Sequence, residues 1–481
     1  MACCGKGPGY ASPMDAMKNG PREEIVYIPC IIPPQTENPR PDYLATVNVD
    51  PKSENYSKII HRMPLKYNQD EVHHTGWNAC SSCHDDASKS RNRLIMPCLG
   101  SSRVYIVDVG TDKYAPKIHH VVEPSEMRDK AGLTVPHSTH CLASGEIMIS
   151  CMGDSDGNNK GGFVVLDGET FEMKGKWERG EEAEFGYDYW YQPYFNIMVS
   201  TGWAAPKTFK QGFNPADVEK GLYGNSLYFW DWKNRQLKQT LPLGSDGLIP
   251  LEIRFMHDPE KAIGFVGCAL SSTIKMFSQK EDGTWEAETV IAVPPKKVKG
   301  WVLPDMPGLI SDILLSLDDR FLLFSNWLHG DIRQYDISDP RNPKLVGQVF
   351  LGGSICQDGG VTVSDDKELK SQPERPNIKG KPIRGAPQMI QLSLDGKRLY
   401  VTNSLYSKWD QQFYPNMYKE GSMMLQIDVD TEKGGLTLNK NFLVDFGDEP
   451  GGPVLAHEIR YPGGDCTSDI WLSNKLAEKS G

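Results

Sequence analysis

The chain has 481 residues, a formal net charge of −11 at pH 7 and a pI of about 5.6. Its 39% hydrophobic and 24% charged residues are typical of a folded globular protein and exclude an intrinsically disordered one. The acidic balance disfavours nucleic acid and anionic membranes as main partners, and no apolar run is long enough to predict a transmembrane segment. The first residues carry neither an apolar signal stretch nor a myristoylation glycine, so we expect a cytoplasmic protein. Peripheral membrane association stays open, because Cys3 or Cys4 could be palmitoylated.

One pattern recurs along the chain: a strand, a tight turn and a second strand. Residues 312–322 and 389–399 show it most clearly, with Asp-Asp or Asp-Gly at the turn. Weaker copies begin at His137, Glu252 and Glu458. A third strand follows as an apolar run that usually ends at an acidic residue. These third strands are predicted at residues 43–50, 103–108, 162–167, 226–231, 273–277, 331–336 and 424–428.

The order of these strands predicts the architecture. The first copy has a third strand but no first or second strand before it, while the last copy supplies strands at 458–461 and 469–472 and then the chain ends. An early outer strand joined to late inner strands is how a ring of sheets closes on itself and hides its edges. We therefore expect an all-β fold, a seven-bladed β-propeller closed by an N-terminal strand and carrying loop excursions. Two β-sandwich domains are the alternative.

Composition divides the chain into a central body and looser segments. Residues 1–25 are rich in glycine and proline and predict a flexible N-terminal arm. The propeller is predicted to span 26–475, followed by a C-terminal tail at 476–481. Within the propeller, residues 357–385 combine mixed charge with prolines, which predicts a mobile insertion. A short helix is expected near Asn214.

One position of the repeat is unexpectedly polar. Aligned on the turn, the position that holds Asp312 holds Glu252, Glu458 or His137 in other copies, and Met389 in one. An apolar packing position would not be filled in this way. In a propeller the first strand of each blade lines a central channel, so these side chains are expected to converge there. Like charges that converge repel one another unless a cation or protons lie among them, which is the physical case for a metal.

Histidines indicate the class of metal. Imidazole nitrogens suit copper, zinc, iron or nickel, whereas a ring of carboxylates alone would indicate Ca²⁺. The predicted metal ligands are His74, His137, His140, His329 and His457, and the predicted catalytic carboxylates are Glu252, Asp312 and Glu458. The competing interpretation is a channel whose polar groups are satisfied by backbone and water.

A second candidate site is the C-x-x-C pair formed by Cys80 and Cys83, with His84 next to it. Such a pair is a redox dithiol or half of a zinc site, and no second C-x-x-C exists to complete a four-cysteine zinc site. Two reduced surface thiols are the competing interpretation. The one G-x-S-x-G match, at 153–157, leads into a strand, and the chain has neither a P-loop nor a dinucleotide-binding glycine motif. Serine hydrolases, NTPases and Rossmann dehydrogenases are therefore disfavoured.

Several long segments together resemble a known family. They are residues 74–83, 138–146, 248–255, 294–301 and 325–331. Through these segments the chain resembles the selenium-binding protein family over nearly its whole length. The animal members of that family are methanethiol oxidases, so the resemblance implies a cytosolic, copper-dependent oxidase that binds methanethiol and O₂. It would convert them, with water, to formaldehyde, hydrogen sulfide and hydrogen peroxide.

The resemblance also has implications for single residues. Histidines would hold the copper, which accepts soft thiolate ligands, and Glu252 or Asp312 would take a substrate proton. The family also has a reported capacity to bind selenium through a cysteine, but Ser57 stands at the matching position here. Selenium binding by this chain would then involve other thiols, for which the candidates are Cys80, Cys83 and Cys141.

Two other functions stay open. A propeller without catalytic activity could bind selenium or protein partners through its outer loops, which would suit the link to intra-Golgi transport that the resemblance implies. A thiol redox protein could act through Cys80 and Cys83. Nuclear or peripherally membrane-associated pools stay open beside the cytosolic one.

Overall fold

A computed structural model describes residues 7–34, 39–463 and 465–473. Strands dominate these residues, and they form seven larger antiparallel sheets, most of them four-stranded meanders, together with two small sheets. The all-β class predicted from the sequence is confirmed. A succession of four-stranded antiparallel sheets is consistent with a β-propeller-like fold.

The first four sheets, in hydrogen-bonded strand order, are as follows. The first contains Leu455–Ala456, Ile25–Ile31, Tyr43–Asn48 and Lys58–Pro64. The second contains Gly76–Trp77, Arg93–Pro97, Val104–Asp108 and Lys117–Val122. The third contains Thr134–Cys141, Ile147–Gly153, Asn159–Leu166 and Met173–Lys176. The fourth contains Tyr189–Gln192, Ile197–Ser200, Ser226–Asp231 and Gln236–Pro242.

The remaining sheets continue in chain order. The fifth contains Pro250–Phe255, Ile263–Cys268, Thr273–Gln279 and Trp285–Ala292. The sixth contains Ile310–Leu315, Phe321–Asn326, Asp331–Asp336 and Lys344–Phe350. The seventh contains Ile390–Leu392, Arg398–Thr402, Met423–Val429, Leu436–Leu438 and Val444–Asp445. The small sheets contain Asp305–Met306, Lys296–Lys299 and Thr362–Asp365, and Asn377–Ile378 with Lys381–Pro382.

The position of a strand in its sheet decides how deeply it is buried. The second strands Ile147–Gly153 and Phe321–Asn326 are buried at every residue, as expected where both faces of a sheet are covered. The fourth strand Gln236–Pro242 alternates between exposed and half-buried residues, the period of two that a strand with one solvent-facing side requires. The first strands Pro250–Phe255 and Ile310–Leu315 are fully buried. Their acidic side chains therefore lie inside the protein.

The first sheet joins the two ends of the described chain. Ile25–Ile31 pairs antiparallel with Leu455–Ala456, and an isolated bridge joins Tyr27 to Arg460. The sequence predicted the second strand of this sheet at residues 469–472. That prediction is wrong, because residues 469–472 form no strand and Ile25–Ile31 takes the second place in the sheet.

A repeated hydrogen bond ties four of the sheets to the sheet that follows. The donor is a serine or threonine hydroxyl on or directly after a second strand, and the acceptor is a main-chain carbonyl on or beside the first strand of the next sheet. The pairs are Ser150 to Tyr187 (2.5 Å), Thr201 to Leu251 (2.6 Å), Ser325 to Gln388 (2.6 Å) and Thr402 to His457. These bonds satisfy carbonyl groups that are buried away from water.

Short helices occupy the connections between strands. Among the described residues the α-helices are Pro13–Asn19, Pro124–Ala131, Pro206–Phe209, Pro215–Glu219, Ser407–Phe413 and Pro415–Glu420. The 3-10 helices are Ser81–Cys83, Pro193–Phe195, Phe446–Asp448 and Cys466–Ser468. Five α-helices begin at proline, whose missing N–H costs nothing at that position. None of the helices is long and apolar enough to span a membrane.

The short helix predicted near Asn214 is confirmed. Asn214 precedes Pro215–Glu219, and its side-chain oxygen accepts the N–H of Ala216 at 3.1 Å. This contact is an N-cap, which satisfies a main-chain donor that the first helical turn leaves free.

The described part of the predicted arm, residues 7–25, packs against the sheets. Its helix Pro13–Asn19 buries Ala16. Glu23 is also buried, and its carboxylate accepts two hydrogen bonds from Arg398, at 2.6 and 3.0 Å, and one from the Tyr400 hydroxyl at 2.6 Å. An ion pair of this kind fixes the segment to the seventh sheet.

The predicted insertion at 357–385 also contacts its surroundings at defined points. Thr362–Asp365 pairs antiparallel with Lys296–Lys299. Glu368 accepts two hydrogen bonds from the guanidinium of Arg333, at 2.9 and 2.8 Å. The segment is therefore attached to the sixth sheet by a two-point ion pair.

The adjacent Glu23 and Glu24 form a buried and an exposed ion pair, so their substitution measures how burial changes the contribution of an ion pair to stability. Glu23→Ala leaves the buried Arg398 with only Asp395 as an acidic partner, so we expect the free energy of unfolding to fall by about 3 kcal/mol. Glu24 pairs with Lys113 at 2.7 Å, but both side chains are about half exposed. Glu24→Ala should therefore cost less than about 1 kcal/mol. Urea unfolding followed by tryptophan fluorescence measures both, and equal losses would contradict the difference assigned to burial.

Candidate metal centre

On or just beside the first strand of every larger sheet, two consecutive residues occupy equivalent positions. A repeated hydrogen bond shows which residues are equivalent. A carboxylate of one sheet accepts a main-chain N–H from the next sheet, and the residue directly before that N–H is the equivalent of the acid. The bonds are Asp188 to Ile253 (3.0 Å), Asp312 to Ile390 (2.9 Å) and Glu458 to Thr75. The first positions, from the second sheet round to the first, are His73, His137, Tyr187, Leu251, Ser311, Gln388 and His457. The second positions are His74, Ser138, Asp188, Glu252, Asp312, Met389 and Glu458.

The alignment made on the sequence is right for the acids and wrong by one residue for His137. Ser138 donates its N–H to a hydroxyl of the neighbouring strand at 3.0 Å, as Asp188 does at 3.1 Å, so Ser138 occupies the second position. The register shift in the strand Thr134–Cys141 is not the cause, because the first strands Pro250–Phe255 and Ile310–Leu315 carry the same shift. Counted back from the turn, Ser138 precedes Gly145 by the same distance as Met389 precedes Gly396, so the sequence already assigns this position to Ser138.

Four imidazoles pack together in the interior. The ring centroids are 3.7 Å apart for His73 and His457, 4.1 Å for His74 and His137, and 4.8 Å for His73 and His74. The potential ligand atoms of His73, His74 and His457 all lie within 4.8 Å of one another, and all four side chains are buried. We call His73, His74, His137 and His457 the histidine cluster.

Neighbouring acceptors orient three of these rings. The Nδ1 of His457 lies 2.7 Å from the Ser404 carbonyl, and that of His74 lies 3.2 Å from Glu458. The Nδ1 of His137 lies 3.2 Å from the Tyr187 carbonyl. In all three rings Nε2 is buried and has no hydrogen-bond partner among the described residues. A proton held at Nδ1 leaves the Nε2 lone pair free, which is the form of histidine that binds metals.

Burial keeps the cluster uncharged. It lowers the pKa of His74 and of His457 to about 3. Burial, together with the neighbouring imidazoles, lowers the pKa of His73 and of His137 well below its usual range. Because a buried imidazolium would lack solvation and repel its neighbours, the rings are neutral at pH 7 and can act as ligands.

Two arginines compensate some of the carboxylates beside the cluster. Arg254 contacts Asp188 at 2.9 Å and Glu252 at 3.1 Å, and Arg460 contacts Glu458 at 2.7 Å. Burial by itself would raise the pKa of Asp188, but Arg254 and the main-chain N–H that Asp188 accepts outweigh it and lower that pKa to about 2. Asp188 is therefore a fixed anion.

Glu252 and Asp312 behave differently. Burial raises the pKa of Glu252 well above its usual range and that of Asp312 to about 7. One oxygen of each, Oε1 of Glu252 and Oδ1 of Asp312, is buried without a hydrogen-bond partner among the described residues. The Oε1 of Glu252 lies 3.8 Å from Nε2 of His74. The site thus holds a protonated carboxyl, and a second carboxyl that can gain or lose a proton near neutral pH.

The structure brings together most of the residues predicted for this site but separates two of them. His140 lies three residues beyond His137 on the same strand, about 10 Å further along it, and its Nε2 contacts the Tyr189 carbonyl at 3.1 Å. His329 follows a second strand instead of a first one, and its Nε2 contacts the Met306 carbonyl at 3.0 Å. Both therefore lie outside the histidine cluster.

The sequence did not predict His73 as a ligand. Two signals could have identified it. It directly precedes His74, and it stands one residue before a second-position residue, as His457 does before Glu458. Because the sequence comparison considered only the second position, His73 at the first position before it was overlooked.

Cavities of different character flank the cluster. On the side of His74 lies a polar cavity of about 30 Å³, which Glu252, Arg254 and Arg460 also line. On the side of His73 lies an apolar cavity of about 10 Å³. Its main apolar lining residues are Tyr187, Trp203, Leu251, Ala269, Leu405 and Trp409. A small molecule with one apolar and one polar end is the ligand class that fits such a pair of cavities.

Two of the predicted thiols, Cys80 and Cys141, line the polar cavity. Cys83 does not line it, and its sulfur lies 3.8 Å from the Oγ of Ser82, which also neighbours Cys80 and Cys141. Ser57 is remote from this cavity, since its hydroxyl accepts a hydrogen bond from Lys379 at 3.1 Å and its residue is half-buried.

Comparison with known proteins places this site in a family. Residues 4–472 match the model of the family described as 56kDa selenium binding protein (SBP56). The chain is 68% identical over 474 residues to a methanethiol oxidase of Xenopus tropicalis, covering 98% of this chain and 100% of that protein. It is 66% identical over 471 residues to a methanethiol oxidase of Homo sapiens, covering 98% of this chain and 99% of that protein.

Solved structures agree with this assignment. The X-ray structure of a hypothetical selenium-binding protein from Sulfolobus tokodaii matches with a TM-score of 0.85 and 38% identity, over 96% of this chain and 98% of that one. A periplasmic gluconolactonase of Pseudomonas aeruginosa, with a TM-score of 0.54 and 10% identity over 91% of this chain and 99% of that one, shares the fold alone. The chain belongs to the 56kDa selenium binding protein (SBP56) family.

Proposed function

We propose that this protein is a methanethiol oxidase that depends on copper held by the histidine cluster. The methanethiol oxidases of Xenopus tropicalis and Homo sapiens match this chain over nearly their full length. The observation that supports the metal is the convergence of four neutral, buried imidazoles, three of which leave Nε2 unpartnered. The reaction consumes methanethiol, O₂ and water and yields formaldehyde, hydrogen sulfide and hydrogen peroxide.

The donor set fits a metal of the copper class. Neutral imidazole is a common ligand of copper, and a buried nitrogen without a partner is costly unless something binds it. His73, His74 and His457 would hold the ion, with His137 beside them. Bound copper would supply a Lewis acid for the thiolate sulfur and a redox centre that couples its oxidation to O₂.

The chain's own residues account for substrate binding and proton transfer. The apolar cavity beside His73 fits a methyl group, and its small size favours methanethiol over longer thiols. Asp312, with a pKa of about 7 and an unpartnered oxygen, serves as the base that accepts a substrate proton. Glu458 contacts His74 and Arg460 and accepts two hydrogen bonds from Thr75, so it positions His74 instead of acting as a base.

The metal proposal is tested on the purified protein. We expect about one copper per chain, loss of methanethiol-dependent peroxide production on chelation, and recovery when copper is returned. His74→Ala and His457→Ala should lower copper content and activity at least tenfold, because each removes a ligand. His119→Gln, on an exposed histidine, should change neither. Full activity in metal-free protein would refute the proposal.

The proton-transfer roles predict unequal effects of two conservative substitutions. Asp312→Asn keeps the acceptor for the Ile390 N–H but cannot take a proton, so kcat should fall about 100-fold or more. Glu252→Gln should cost much less, because the amide resembles the protonated carboxyl that burial favours. Steady-state peroxide production with copper content measured in parallel separates the two. A normal kcat in Asp312→Asn would rule out the assigned base.

The same carboxyl gives a pH signature in metal-free protein. The pKa of Asp312 is raised from 3.8 to about 7 by burial, so the folded chain holds this proton more tightly than the unfolded chain. Its contribution to stability is therefore full below about pH 4 and is lost as the pH rises towards 7. The free energy of unfolding of Asp312→Asn, relative to wild type, should rise over this interval and level off above it. A constant difference in urea titrations from pH 4 to 8 would contradict the shift.

We also infer that the seven larger sheets are blades of one closed propeller. The support is the hydrogen bonding between successive sheets and the first sheet, which combines strands from both ends of the described chain. The equivalent positions then form two rings around a common axis.

We also propose a selenium site and a cellular location for this protein. The family name supports selenium binding, and with Ser57 at the surface we propose that Cys80, Cys83 and Cys141 provide the selenium site. We also propose a cytoplasmic location, which the free thiols of the described cysteines support. Docking of protein partners on the outer loops, and nuclear or peripheral membrane pools, are compatible additions to the enzyme.

A further inference from the structure

Three cysteine thiols meet around one serine hydroxyl. The Oγ of Ser82 lies 3.2 Å from the sulfur of Cys80, 3.8 Å from that of Cys83 and 3.9 Å from that of Cys141. All three cysteines are buried. Two of them come from the connection between the first two strands of the second sheet and the third ends the first strand of the third sheet, so the fold assembles a cluster that no local motif contains.

Other buried cysteines have different surroundings. The sulfur of Cys98 contacts the Met96 carbonyl at 3.8 Å, and that of Cys151 contacts the sulfur of Met127 at 3.8 Å. Burial raises the pKa of both thiols well above its usual range. These are inert packing residues.

We call Ser82 and the three cysteines around it the Ser82 cluster. Unlike Cys98 and Cys151, it contains a thiol whose pKa is lowered. A hydrogen bond from Cys141, assisted by Ser82, lowers the pKa of Cys83 to about 6. Side-chain hydrogen bonds with Cys80 and Cys83 raise the pKa of Cys141 well above its usual range. A thiolate at Cys83 therefore lies against a protonated thiol at Cys141, and this pairing of nucleophile and second thiol is the one that forms disulfides.

The cluster communicates with the histidine cluster through the polar cavity. Cys80, Cys141 and His74 all line this space of about 30 Å³. A cavity of this size admits a molecule about as large as water. Hydrogen peroxide is small and polar enough to enter it, and the proposed reaction releases peroxide at its other end.

We propose that Cys83 and Cys141 are a dithiol site that reduces hydrogen peroxide and closes into a disulfide, with Ser82 as a positioning residue. The Cys83 thiolate attacks one peroxide oxygen and the O–O bond breaks, leaving a sulfenic acid on Cys83. The departing hydroxide takes from solvent the proton that Cys83 released on ionising, which gives the first water. The Cys141 sulfur then attacks the sulfenic sulfur, and the released hydroxide takes the Cys141 proton to give a second water. Two thiols lose two electrons and one peroxide gains them. This proposal depends on the proposed function in one respect only, namely that methanethiol oxidation supplies the peroxide.

Peptide mapping tests the pairing. Full-length protein is treated with equimolar hydrogen peroxide, remaining thiols are alkylated, and the peptides are analysed without reduction. We expect a peptide that links Cys83 to Cys141. A disulfide between Cys80 and Cys83, or unlinked thiols at all three positions, would overturn the proposal. Because the peroxide is added, this result does not depend on methanethiol oxidation.

Variants separate chemistry from structure. Cys141→Ser should stop at the sulfenic acid of Cys83, which dimedone traps, and Ser82→Ala should slow disulfide formation several-fold without changing the pairing. Cys98→Ser is the buried control and should leave both rate and pairing unchanged. Disulfide formation in Cys141→Ser at the wild-type rate would contradict the role of Cys141, and an unaltered rate in Ser82→Ala would contradict that of Ser82.

Discussion

Side chains that reach from one sheet to the next hold the interior of this protein together. Serine and threonine hydroxyls donate to carbonyls of the following first strand, and the carboxylates of Asp188, Asp312 and Glu458 accept N–H groups there. Main-chain groups that face no partner within their own sheet are satisfied in this way, as burial requires. The consequence is a set of carboxylates buried away from bulk solvent. Two arginines must then be buried with them, and the electrostatics of the site follow from that arrangement.

The arginines do not compensate the acids equally. Arg254 and Arg460 contact Asp188, Glu252 and Glu458, whereas no ion pair with Asp312 is found among the described residues. Burial would raise the pKa of both acids that Arg254 contacts, but Arg254 and a main-chain N–H keep that of Asp188 low, whereas the charge of Asp188 raises that of Glu252 further. The two pKa values are therefore separated. Enzymes use the same separation to obtain an acid and a base from two carboxyl groups. The histidines complete the arrangement, because burial removes their charge but leaves their lone pairs.

The sequence predicts the fold far better than the site. The strand–turn–strand repeat identifies first strands such as Pro250–Phe255 and Ile310–Leu315, and the acids at its polar position are all buried, with Glu252 and Glu458 beside His74. His137 was misplaced by one residue, although its distance from the turn at Gly145 already assigns the polar position to Ser138. The role of Ile25–Ile31 as a second strand was missed because its partner lies more than 400 residues away. The roles of His73 and Cys141 were difficult to predict for the same reason, because each depends on contacts with residues of other sheets.

X-ray absorption at the copper edge of purified protein tests the central claim most directly. Four neutral imidazoles packed against one another predict that the copper has nitrogen ligands with the multiple-scattering pattern of histidine. The account predicts that this pattern disappears in the His74→Ala, His457→Ala double variant. Copper bound by sulfur in the resting protein would place the metal at the cysteines and contradict the assignment of the site.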